Sequence, residues 1–288
     1  MKKNIEVYVL ENKYLQVDIL KDFGAKILSI VDKKDGEEFL FQSQSSYQVP
    51  KLGDDFSKYD TSGIDDCFPT IDSCEIKGIN YPDHGSLWSI PWEMTGNHQK
   101  VFAKIRDPIT KIEIEKIFSL KKQRLSIDYI FINKEEEPKE FLWVFHGLFQ
   151  MKPEYTLLFP FDEKDLLQIH GKPGEFSIKN PKEYPINESF KWYLPHKIPL
   201  KGEIGYQGPE KRILFHYDRI KIPYLGLWVT TGGFKGERNW AIEPSTGYYD
   251  SLKKVLETDT QVHLSPQDSF TFTFEIEIKE DDNGRIKI

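Results

Sequence analysis

The stretch Phe270-Thr271-Phe272-Thr273-Phe274-Glu275-Ile276-Glu277-Ile278 decides the fold class. Its apolar and polar side chains alternate one for one, and a period of two marks a β-strand with one buried face and one wet face. The same rule holds elsewhere in the chain. Leu125, Ile127, Tyr129 and Phe131 are spaced by two, Ile112 and Ile114 alternate with Glu113 and Glu115, and Leu15, Val17 and Ile19 alternate with Gln16 and Asp18. Two other runs, Phe141-Leu142-Trp143-Val144-Phe145 and Leu225-Gly226-Leu227-Trp228-Val229, are apolar on both faces, as strands enclosed in a sandwich are. Helical signals are poor. The best stretch, residues 249–257, is short, and 19 Gly and 17 Pro punctuate the chain too often for long helices. Strands do not alternate with helices, which argues against a parallel α/β sheet. No internal repeat is visible. The expectation is an all-β chain in which residues 1–288 form one large antiparallel β-sandwich domain. Residues 181–209 read as long loops or an insertion, Pro244 as the end of a late strand, and residues 279–288 as a fraying polar tail.

Charge narrows the function. The chain has 39 Lys+Arg against 46 Asp+Glu, a net charge of −7, and only six of the cations are Arg. A nucleic-acid partner would call for a basic stripe that is missing here. No stretch reaches the ~20 apolar residues of a membrane helix, and Glu6 and Glu11 interrupt any signal-peptide core. Cys67 and Cys74 cannot build a disulfide framework or a thiolate zinc site, which fits a reducing, cytoplasmic setting. The seven histidines, at 84, 98, 146, 170, 196, 216 and 263, form no His-x-His ligand pair of a metal-dependent β-fold enzyme. No metal and no cofactor are expected, and a monomer or a homodimer both remain open. The aromatic share, 14%, suits strand-rich cores, so position must decide which rings serve a binding cleft.

Three islands break the strand pattern: Gly63-Ile64-Asp65-Asp66-Cys67-Phe68-Pro69-Thr70, Tyr81-Pro82-Asp83-His84-Gly85-Ser86-Leu87-Trp88-Ser89-Ile90-Pro91-Trp92 and Trp240-Ala241-Ile242-Glu243-Pro244-Ser245-Thr246-Gly247-Tyr248-Tyr249-Asp250-Ser251. Each sets acids, His or Trp between Pro and Gly, the composition of ordered loops that carry chemistry. His146 ends an otherwise apolar strand. Glu243 projects from the strand face opposite Trp240 and Ile242, at a strand mouth where a carboxylate near apolar rings is a general-base candidate.

With PDHGxxWxxPW at 82–92 and EPxxGxxDS at 243–251, the chain resembles the aldose 1-epimerases, or galactose mutarotase-like proteins, over nearly its whole length. The resemblance implies a large β-sandwich that interconverts the α and β anomers of a free aldohexose by general acid–base catalysis through ring opening. It implies that Glu243 is the base, that His146 protonates the ring oxygen and that His84 binds ring-side oxygens. A sugar has an apolar C–H face and a polar rim, so Trp88, Trp92 and Trp228 are the plausible platforms, and Asp250 joins the polar set. The family carries an Arg before its first His. Here that stretch offers only Asp65 or Asp66, which puts galactose specificity in doubt. Hexose-6-phosphate epimerases carry an Arg soon after their HG pair, where this chain has Trp88, so a neutral small-molecule sugar is expected over its phosphate. A non-catalytic sugar-binding protein on the same fold is the other reading.

Overall fold

The computed structural model describes residues 5–281. Among them, eleven strands form one antiparallel sheet and eight form another. The spine of the large sheet runs, in spatial order, Val7–Glu11, Leu15–Leu20, Lys26–Asp32, Ile64–Cys67, Val144–Gly147, Arg238–Ser245, Tyr224–Thr231, Ser189–Tyr193 and Leu167–His170. The second sheet runs Thr156–Leu158, Gly205–Gln207, Lys211–Tyr217, Ser269–Glu280, Arg124–Ile132, Glu113–Lys121, Lys100–Arg106 and Glu93–Gly96. This is the sandwich that the alternating pattern predicts.

Strand Ser269–Glu280 lies at the middle of the second sheet. Phe272 opposes Tyr129, Phe274 opposes Ile127 and Ile276 opposes Leu125, all facing inward. Its polar face is wet: Glu275 and Glu277 pair with Arg124 at 2.8 and 3.1 Å. The inner face of the large sheet meets it ring to ring, with Phe145 stacked on Phe274 at 4.3 Å and Trp143 against Phe272 at 4.7 Å. Fully burying such a ring stabilises by about 1.5–3 kcal/mol, which accounts for much of the aromatic content.

Three expectations are corrected. Residues 181–209 are not simply loop: they contain strands Ser189–Tyr193 and Gly205–Gln207. Phe190 and Trp192 enter the core while Lys191 and Tyr193 are buried on the other face, so no wet face betrays the alternation. Pro244 does not end its strand, which continues to Ser245 with Pro244 opposite Leu225. Strand Val144–Gly147 touches this one only at Ser245, so a residue lacking an N–H is tolerated at 244. Lys279 and Glu280 are paired strand, opposite Arg212 and Lys211, while residues 282–288 lie outside the described part. The α-helix found near the expected place is shorter, Leu252–Glu257.

Candidate functional site

Where the inner face of the large sheet supplies the core, the outer face supplies a trough. Its rungs are read from the register. Glu243 opposes Gly226, which opposes Tyr193; Ala241 opposes Trp228, which opposes Lys191; Asn239 opposes Thr230, which opposes Ser189. Gly226 is small for a reason. A Cβ there would lie 3.0 Å from the Tyr193 ring and 3.1 Å from Glu243 Oε2. With Ala241 beside it, it leaves a floor on which longer side chains converge. The result is a cavity of about 610 Å³, lined among others by Glu243, Lys191, Asp250, His84, His146 and Trp228.

The loops that close one end are the three islands, stitched together by their backbones. The Ile71 and Asp72 amides donate to the Asp250 carbonyl at 2.8 and 3.0 Å, the His84 amide donates to Ile71 O at 2.6 Å, and the Ser86 amide donates to Phe68 O at 2.8 Å. Gly85 makes this approach possible: its φ is +71°, and a Cβ would sit 1.9 Å from Phe68 O. His84 itself is held left-handed at φ +56°, a conformation that costs energy in a non-glycine residue and often marks a functional position. Its Nδ1 meets Asp83 Oδ2 at 2.9 Å. A carboxylate only accepts, so Nδ1 carries the proton and Nε2 is left for another partner. Phe56 stacks on the ring at 3.9 Å, and His146 meets it edge-on at 5.0 Å.

The charges are buried and interlocked. Glu243 is 1% exposed. Its Oε2 accepts from Lys191 Nζ, whereas its Oε1 has no hydrogen-bond partner in the protein. Lys191 also lies 3.4 Å from Asp250 Oδ1, which accepts from the Tyr193 hydroxyl. Burial alone would drag the Lys191 pKa down, but the charges of Asp250 and Glu243 outweigh it and hold it above its usual value. Burial, aided by the positive charges of His84, Lys191 and Lys26, holds His146 well below the usual histidine range and therefore neutral. Burial followed by the nearby Asp250 raises Asp72.

The residues singled out from the sequence divide into two groups. His84, His146, Glu243, Asp250 and Trp228 line the one cavity. Asp66 lies instead on the inner face, tied to Lys116 and accepting from Tyr129 at 2.9 Å and the Trp143 indole at 3.0 Å, so it does not reach the cavity. Asp65 faces outward opposite His146 but is taken up by Lys26 at 3.1 Å, in a buried cluster with Asp60. Trp88 is a support and not a wall: it packs edge-on against Phe56 and Tyr59. Trp92 is in the core, with Lys116 over its ring at 4.5 Å. Lys191, Tyr193, Asp83 and Asn239 were not among the expected site residues. A lysine between Phe190 and Trp192 in a run with no wet face is the signal that could have found the first.

Cys67, His84 and His146 bring one ligand atom each to within 4.8 Å of one another. This is a sulfur-and-imidazole set of the kind that suits zinc. Burial, then Glu243 and Asp65, pushes the Cys67 thiol well up, so without an ion it stays protonated. The three come from segments far apart in sequence, and no spacing rule could show them.

No protein-family model and no curated protein sequence matches the chain. Its fold does match solved structures. The Slr1438 protein of Synechocystis sp. PCC 6803 superposes with a TM-score of 0.72 at 16% identity, over 97% of each chain. A galactose mutarotase-like protein from Lactobacillus casei ATCC 334 gives 0.69 at 16% identity, over 95% of this chain and 100% of the other. A galactose mutarotase related enzyme from Lactobacillus acidophilus gives 0.65 at 17%, over 95% and 97%. The chain thus has the galactose mutarotase-like sandwich fold. Among the described residues, no helix is long and apolar enough to cross a membrane.

Proposed function

We propose that the protein is an aldose 1-epimerase acting on an uncharged aldose. One observation carries the reading: a buried carboxylate, Glu243, has one oxygen fixed by Lys191 and the other unpartnered, on the wall of the cavity that also holds the imidazoles of His84 and His146. A buried acceptor without a donor calls for a ligand that brings one, and the anomeric O1–H of a sugar does so.

In the first half-reaction Glu243 Oε1 takes the O1 proton, the O1 electrons form the aldehyde C=O, the C1–O5 bond breaks and O5 receives a proton. After rotation about C1–C2, O5 attacks the other face of C1 and the two protons return. An acid must hold its proton before giving it. His84 lines the cavity with its Nδ1 held by Asp83 at 2.9 Å, which leaves Nε2 for the substrate, whereas burial keeps His146 neutral. We therefore assign the acid to His84 and a neutral hydrogen-bonding role to His146, the reverse of the family roles. General acid–base assistance of this kind supplies roughly 10²–10⁴-fold.

The charge balance supports a neutral substrate. Lys191, the lysine on the cavity wall, already faces two carboxylates. Lys235 donates to Tyr59 O at 2.6 Å and Arg238 to Pro181 O at 3.4 Å, so neither is aimed at a phosphate. The test is anomeric exchange by NMR saturation transfer on glucose, galactose and glucose 6-phosphate. Exchange above the uncatalysed rate with a neutral sugar is expected. A preference for the phosphate, or no enhancement with any sugar in a broad panel, would overturn the reading.

A further inference from the structure

The trough is longer than one pyranose. Successive outward residues along a strand are about 6.6–6.8 Å apart, so the rung of Asn239 lies about 13 Å from that of Glu243, more than twice the width of a hexose ring. The far rung is built as a site. Asn239 is 1% exposed, lines the cavity and leaves its Oδ1 without a hydrogen-bond partner, while its amide nitrogen is directed at Glu237. This is a second buried acceptor awaiting a donor. Between the two acceptors stands Trp228, half-buried, its ring met edge-on by Phe234 at 5.9 Å and stacked with His170 at 6.2 Å. Across from it Ala241 keeps the floor low. An acceptor, an aromatic ring and a second acceptor in line match a ligand with two linked rings, each bringing hydroxyl donors and one apolar face.

We propose that the preferred ligand is a reducing disaccharide. Its reducing unit lies at Glu243, and its second unit rests against Trp228 and donates a hydroxyl to Asn239 Oδ1. The inference rests on the epimerase reading for the first unit, but the second subsite is testable alone. Binding of glucose, cellobiose, maltose and lactose would be measured by titration calorimetry, and their anomeric exchange by NMR. At least one disaccharide should bind more tightly than glucose, by about tenfold, from the added ring contact and hydrogen bond together. Asn239→Ala and Trp228→Ala, with Trp228→Phe as the milder variant should Ala not fold, should each reduce the disaccharide-to-glucose affinity ratio about three- to tenfold. Equal affinity for glucose and every disaccharide, no sugar binding at all, or a ratio unmoved by the substitutions would overturn the proposal. A disaccharide held through Asn239 without catalysed exchange would keep this subsite and remove the epimerase reading.

Discussion

Lys191→Met tests whether the site's charges are interlocked as the geometry states. The ammonium sits between Glu243 and Asp250 with a side chain 9% exposed, beside a Glu243 side chain that is 1% exposed. Deleting one partner of a buried pair costs about 3–5 kcal/mol, because the charge left behind is neither solvated nor paired. For a chain of 288 residues, 1 kcal/mol moves the melting temperature by about 2 °C, so the variant should melt about 6–10 °C below wild type. The deficit should depend on pH, with a definite sign. Without the cation, two buried carboxylates face each other, so the folded variant takes up protons more readily than its unfolded chain. A carboxylate with a raised folded pKa adds stability that is present at low pH and lost as pH rises. The deficit should therefore shrink toward about pH 5 and widen toward about pH 8. Thermal melts across that range, with Glu243→Gln added to restore part of the loss at pH 8, make the assay. A drop under about 2 °C, or one identical at both ends of the range, would show that Lys191 is not the counter-ion of this cluster.

Glu243→Gln keeps shape and most sugar affinity but removes the proton acceptor, so anomeric exchange should fall by about 10²-fold or more; near-native exchange would take Glu243 out of the mechanism. Asp65 gives a stability signature. Burial, only partly offset by Lys26 and reinforced by Asp60, raises its pKa to about 6. The folded protein holds that proton where the unfolded chain has released it, so Asp65 contributes stability below about pH 4 that is lost as pH rises through about 6. The shift is worth roughly 3 kcal/mol. Urea unfolding of wild type and Asp65→Asn from pH 4 to 7 should show the wild-type advantage falling by that order, and a pH-independent difference would contradict the assignment.

The sandwich was legible because its strands expose one face: Phe270 to Ile278 and Leu125 to Phe131 announce themselves by alternation. The trough was harder to read for the opposite reason. Its strands bury both faces, one in the core and one under loops, so Lys191 between Phe190 and Trp192 looks like an irregular segment and not a rung. The island residues were visible as islands, yet their orientation was not. Asp65 and Asp66 are neighbours in sequence, but a period of two sends one outward toward His146 and the other inward to Tyr129 and Trp143. Which acid faces which way depends on the register of Ile64–Cys67 against Val144–Gly147, and that register is a long-range property.

The missing arginine has a structural counterpart. The family resemblance expects a cation just before the first histidine, and there the chain places Asp65 and Asp66, each with its own lysine, Lys26 and Lys116. Positive charge reaches the cavity from the opposite side, on a strand four places along the sheet, as Lys191. An arginine on a loop would present several donors to a sugar. Lys191 is committed to Glu243 and Asp250, and it can share only what those carboxylates leave. Besides the imidazoles and rings, the wall offers a ligand two acceptors that lack a partner in the protein, Glu243 Oε1 and Asn239 Oδ1. Such a wall favours hydroxyl donors, and an anion would meet Asp72, Glu243 and Asp250 along it.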